Sequence, residues 1–166
     1  MRLLYQSPDG ALLFDPTPQQ MALILTTSEH RYWLQGGNGE AAINVIREPH
    51  EEVPSHRSLI TPDGIRVDFV NDQPSLWIKS PEPNRFFITW CRLPEGEFVP
   101  YDGSSIEPFV VEERGGDPFR VPRACLVQPS IASEIVREFL ISRQRSSAVR
   151  WELWYELELP LPGAKW

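Results

Sequence analysis

Ser130-Ile131-Ala132-Ser133-Glu134-Ile135-Val136-Arg137-Glu138-Phe139-Leu140-Ile141-Ser142-Arg143 is the stretch that decides the fold. Ile131, Ile135 and Phe139 recur at i, i+4 and i+8, and Ala132, Val136 and Leu140 repeat the spacing beside them. Together they form a broad apolar stripe on a helix capped by Ser130, with Arg143 and Arg145 where the macrodipole favours cations. Immediately downstream, Val149, Trp151, Leu153, Tyr155, Leu157 and Leu159 alternate with Arg150, Glu152, Trp154, Glu156 and Glu158. A period of two predicts a strand over 149–159 with one face in the core. A helix packed on the sheet that contains this strand makes the fold α+β, mostly antiparallel.

Working toward the N-terminus, the residues that flank Ser7-Pro8-Asp9-Gly10 predict two short strands, 3–5 and 11–14, joined by a turn. Thr17, Pro18 and Gln20 form a capping box with proline at the first helical position, so a shorter helix is expected from 18 to about His30. A strand over 23–27 is the alternative. The runs 31–35 and 40–46 around Gly36-Gly37-Asn38-Gly39 predict a hairpin. The glycines are not followed by the Lys and Ser/Thr of a phosphate-binding loop. Residues 47–58 are polar and proline-broken, and a loop is expected there. Strands over 65–70 and 76–78 are expected to pair, and the run 85–92 continues the meander. No linker or repeat divides residues 1–166, which are expected to form a single domain.

With 23 acids against 16 bases the formal charge is −7. All the bases but Lys79 and Lys165 are arginine, which suits paired or interfacial sites. Phosphate backbones require a positive footprint, so neither nucleic acid nor another polyanion is the expected partner. The N-terminal residues lack a signal peptide's apolar core, and no stretch approaches the ~20 apolar residues of a membrane span. A cytoplasmic location and no membrane partner are therefore expected. Cys91 lies in the apolar run 86–91 and reads as a small buried hydrophobe, with Cys125 the only other cysteine.

Candidate chemistry is sparse. His50-Glu51-Glu52-Val53-Pro54-Ser55-His56 carries two imidazoles and two carboxylates, but the His spacing and Pro54 do not suit a helical metal site. Neither a metal nor another cofactor is expected. Cys91 lacks a recognisable base, and no Gly-x-Ser-x-Gly elbow is present. The chain is expected not to be an enzyme, with a hydrolase using the 50–56 loop, or a regulatory adaptor, as alternatives. Trp154 falls on the glutamate side of its strand and either covers a second layer or serves an interface.

The segment 93–118 is the most distinctive. Glu95, Glu97, Asp102, Glu107, Glu112, Glu113 and Asp117 face only Arg114, while the remainder, with sixteen acids and fifteen bases, is almost neutral. Phe98, Tyr101, Ile106 and Phe109 interleave with the acids. Such a run is either a solvated face or an acidic patch with aromatic anchors that captures a basic protein.

Phe119-Arg120-Val121-Pro122, Ala132-Ser133-Glu134-Ile135-Val136-Arg137-Glu138-Phe139-Leu140 and Ser146-Ser147-Ala148-Val149-Arg150-Trp151 resemble an immunity-protein family of bacterial polymorphic toxin systems. That family is found beside deaminase-type, nucleic-acid-directed toxins. The resemblance covers roughly the last third of the chain. It departs from the family at Arg143-Gln144-Arg145-Ser146-Ser147, where members carry a Gly-Arg-Pro-like turn. It implies neutralisation of a basic toxin domain by direct one-to-one binding, by a monomer or weak dimer. Within that expectation Glu95, Glu97, Asp102, Glu107, Glu112 and Glu113 are the toxin-binding candidates.

Overall fold

The computed structural model describes residues 1–35, 39–48, 51, 55–70, 72–114 and 117–157, the side chains of 55, 56, 112–114 and 117–119 excepted. Strands β1 (Arg2–Gln6) and β2 (Leu12–Phe14) form the expected hairpin, and helix α1 spans Pro18–Thr27. At its start the Gln20 N–H donates to Thr17 Oγ1 (3.2 Å) and the Thr17 N–H to Gln20 Oε1 (2.8 Å), completing the capping box. At its end the Thr26 and Thr27 hydroxyls bond back to the carbonyls of Ala22 and Leu23, and Ser28 turns extended.

Helix α2 (His30–Trp33) then occupies residues expected to form a strand. Their aromatic content suits a pleated surface, but tertiary packing wins. Trp33 is buried edge-on against Phe86, with ring centroids 5.0 Å apart, which a solvent-facing hairpin would forbid.

The chain continues through β3 (Glu40–Ile46), β4 (Ser55–Ile60), β5 (Arg66–Val70), β6 (Ser75–Glu82), β7 (Arg85–Arg92) and β8 (Gly96–Pro100). Residues 55–58 are thus strand rather than loop, because pairing with β5 satisfies their backbone. The expected pairing of 65–70 with 76–78 is not made. Instead β5 and β6 both join β3, β6 along Glu40–Ile43 and β5 at Ile46. Strands β9 (Phe109–Arg114) and β10 (Asp117–Pro122) form a separate ribbon.

After a 3₁₀ turn at Arg123–Cys125 come β11 (Leu126–Val127), helix α3 (Pro129–Ser142) and β12 (Trp151–Leu153). The long terminal strand expected over 149–159 is cut short. Beyond Leu153 the chain bends into a 3₁₀ turn, Trp154–Leu157, which sets Trp154 against Phe87 at 5.2 Å and buries Leu157. Tyr155, expected in the core, is exposed. Trp154 has more apolar surface than either neighbour, and packing it against Phe87 outweighs continued alternation.

The large sheet is antiparallel, in the order β12-β8-β7-β6-β3-β1-β2, with β11 on β7 and the β4–β5 pair on the far end of β3. All three helices cover one of its faces. Met21 and Leu25 of α1, Trp33 of α2 and Ala132, Ile135, Val136 and Phe139 of α3 meet the inward residues of β1, β3, β6 and β7. α3 ends at Arg143, which is left-handed at φ 61° without being glycine. Its amide donates to the Phe139 carbonyl (2.8 Å), and its own carbonyl accepts the indole N–H of the buried Trp90 (3.2 Å). Arg145 then lies over the Phe98 ring at 3.9 Å and over Trp90 at 5.2 Å, closing that end of the core.

Phe139 is fully buried at the centre of this layer. Phe139→Ala is expected to lower unfolding stability by about 3–5 kcal/mol, through lost burial plus the cavity left behind. Urea unfolding checks it, and a change below about 1 kcal/mol would place the helix outside the core.

Candidate functional site

Strand alternation that sends Ile43, Leu76, Ile78 and Ile88 toward the helices sends Asn44, Trp77, Thr89 and Cys91 to the other face of the sheet. Among the described residues, that second face carries apolar clusters at its two ends. Phe87, Val99, Val121, Cys125 and Leu157 form one small apolar cluster, and Leu4, Ile46, Val67 and Phe69 form the other. Between them lies an open trough.

The trough exists because the sheet forks. Ile43 is the last residue of β3 in register with β6 and Ile46 pairs with β5, so Asn44 and Val45 border the gap where the two partners part. A cavity of about 450 Å³ fills this gap, walled by Asn44, Phe69, Trp77 and Cys91 and by residues 72–75. Two smaller hollows of about 250 and 280 Å³ adjoin it. Trp77 borders all three and Glu97 two of them. The Trp77 indole N–H donates to Ser75 Oγ (2.9 Å), which holds the ring along the floor. Lys79 Nζ and Glu40 Oε1, 3.8 Å apart, close the shallower end.

Three polar groups give the cavity its character. Arg57 is exposed, its guanidinium 4.3 Å from the Phe69 ring centre and 5.9 Å from that of Trp77. Among the described residues no carboxylate pairs with it. Asn44 is only 5% exposed, and its Nδ2 has no acceptor among the described residues. An unmatched buried donor costs on the order of 1–3 kcal/mol, so the position is not optimised for folding alone. Cys91 lies opposite Glu97 in register, and partial burial followed by the Glu97 charge pushes its thiol pKa up. It is half-buried rather than the fully buried hydrophobe expected. Cys125 is the buried cysteine, its thiol pushed up to about 12 by burial and then by Asp102.

The far wall is pinned by Asp68. Its carboxylate accepts from the Ser58 hydroxyl, from Arg66 Nε at 2.7 Å and from Arg47 beyond the end of β3. The Ser58 and Arg66 bonds, in that order, hold its pKa down at about 2.

The six acidic candidates are spread over β8, the turn before it, the connection after it and β9. Glu97 lies in the trough. Glu95 lies in the β7–β8 turn, paired with Arg92 at 3.1 Å. Asp102 and Glu107 are exposed on the connection after β8, and the Ser104 side chain and then its N–H, which donates to Asp102 at 2.8 Å, lower the Asp102 pKa. Glu112 and Glu113 lie on β9, with side chains outside the described residues. The interleaved aromatics are partly internal: Phe98 packs beneath Arg145, and Tyr101 against the cluster around Val99. Of the 50–56 segment, both histidine side chains lie outside the described residues. Among those described, no group of three His, Cys, Asp or Glu is placed to hold a metal.

Sequence reasoning missed Asn44, Arg57 and Trp77. Only Asn44 carried a signal, as the single polar residue inside the apolar run 41–46. No protein-family model matches the chain, and no curated protein matches it.

Because the Asp68 pKa is lowered on folding from an unfolded value near 3.9, its contribution is present above about pH 4. It is lost as pH falls toward 2. Asp68→Asn is expected to lower the Tm at pH 7, with the gap to the unmodified protein narrowing between pH 4 and pH 2. Calorimetry across that range checks it, and a gap independent of pH would remove the charge from the account.

Proposed function

We propose that this chain is a binding protein of the immunity type, which silences a basic, nucleic-acid-directed, deaminase-like toxin domain by covering it one-to-one without turnover. The observation that carries the reading is where negative charge is left uncompensated. Across much of the molecule carboxylates are matched to cations: Glu29 to Arg31, Glu48 and Asp15 to Arg2, Glu82 to Arg123, Glu134 to Arg137 and Glu152 to Arg150. Asp9, Asp63, Asp72, Glu138 and Glu156 also form no ion pair among the described residues but sit on separate elements. Glu97, Asp102 and Glu107, likewise without a cationic partner among the described residues, are all exposed within eleven positions along β8 and the loop that follows.

Unscreened carboxylates grouped in one part of the chain raise the rate of encounter with a cationic surface and disfavour polyanions. A toxin domain that handles nucleic acid must itself carry a basic groove, which is the complementary surface. The C-terminal resemblance supports the same reading from different residues, since Phe139 and Trp151 serve packing rather than contact.

The test is co-expression with a candidate toxin domain taken from a neighbouring reading frame, scored by cell survival and by a 1:1 complex in solution. Glu97→Lys, Asp102→Lys and Glu107→Lys together are expected to weaken binding by about a hundredfold or more, with association that slows as salt rises. Reversal at Glu29 and Asp63 serves as the control. Equal effects from both sets, or no protection by the unmodified chain, would overturn the proposal.

A further inference from the structure

We infer that the cavity at the fork of the sheet is a ligand site for a small planar molecule bearing a carboxylate. Its volume, about 450 Å³, lies in the range of sites that enclose small ligands. The lining supplies both halves of such a ligand's recognition. Trp77 presents aromatic surface to a flat apolar body, while the buried Phe69 lies beneath the Arg57 guanidinium. Arg57 and Asn44 present donors to an acceptor.

Asn44 is the decisive residue. It is more than nine-tenths buried, its side chain lies on the trough face, and its Nδ2 lacks an acceptor among the described residues. An asparagine amide turns easily about its last torsion, so either edge can be presented to the cavity. A carboxylate oxygen there would supply the missing acceptor. Arg57 completes the clamp. Its stacking on Phe69 fixes the guanidinium plane beside the cavity before any ligand arrives, and its planar fork matches a carboxylate. Glu97 on the opposite side disfavours a second negative charge, so a monoanion fits better than a dianion. Arg92 is held by Glu95 and by the Asp72 carbonyl and serves as rim.

Cys91 provides the readout. It lines the cavity, whereas Cys125 is fully buried and acts as an internal control. In the folded full-length chain, iodoacetamide at alkaline pH is expected to alkylate Cys91 alone, followed by intact mass. Indole-3-acetate should slow that reaction saturably. Its uncharged analogue tryptophol and its cationic analogue tryptamine should each require about tenfold or more ligand for the same protection. Arg57→Gln, at an exposed position, should weaken protection by indole-3-acetate about tenfold or more, measured relative to that variant's own unliganded alkylation rate. Asn44→Leu should do the same, and if it fails to fold Arg57→Gln decides alone. Absence of saturable protection, equal protection by tryptamine, or an Arg57→Gln variant that binds as well as the unmodified chain would each overturn the inference. The two proposals share Glu97, which lines this cavity, but none of the variants used here alters it, so failure here leaves the toxin proposal standing.

Discussion

Strand β3 is buried on both faces and paired on both edges, and the rest of the structure is arranged to permit that. Residues 41–46 are all shielded from solvent, so two layers must cover them. The helices provide one layer in full, through Met21, Trp33 and the stripe of α3. The second is provided piecemeal. β4 and β5 fold over the end of β3 at Ile46, while the ribbon and the final 3₁₀ turn cover β7 and β8. Between these clusters no third apolar cluster is found among the described residues. β3 cannot pair with β5 and β6 over the same residues, so the sheet must fork, and the fork leaves Asn44 beside empty space. The trough is thus a geometric consequence of how the strands share one partner.

Electrostatics divides the molecule in a similar way. Arginines neutralise carboxylates around the sheet and along α3, and Asp68 shows the strongest local arrangement, with two arginines and a hydroxyl on one carboxylate. Most exposed pairs of this kind add little stability. Their larger effect is to cancel the field, so that what remains uncancelled stands out. Three of the uncancelled carboxylates lie close together in the chain, along β8 and the loop after it, and β8 also borders the trough through Glu97. One strand therefore carries both the acidic rim offered to a protein and one wall of a ligand cavity. The two proposals concern adjacent surfaces with different chemistry.

Much of this was legible because some signals are local. The β1–β2 turn, the Thr17–Gln20 capping box and the stripe of α3 depend on residues within a few positions of one another, and each formed as expected. The failures share a different cause. Residues 31–33 and 154–157 hold large aromatics whose position is set by distant partners, Phe86 for Trp33 and Phe87 for Trp154. Their local pattern suits a strand, and burial of the indole overrides it. Residues 55–58 form a strand only because β5 offers them an edge.

By itself, then, the order of residues determined the α+β class, the two longer helices and the concentration of acids between 93 and 118. These follow from periodicity, capping and composition, which act over short range. Tertiary structure alone decided which strands share an edge with β3, where the sheet forks, and which carboxylates find arginines. Those outcomes depend on contacts between residues far apart in the chain, and no local pattern encodes their competition for a common partner.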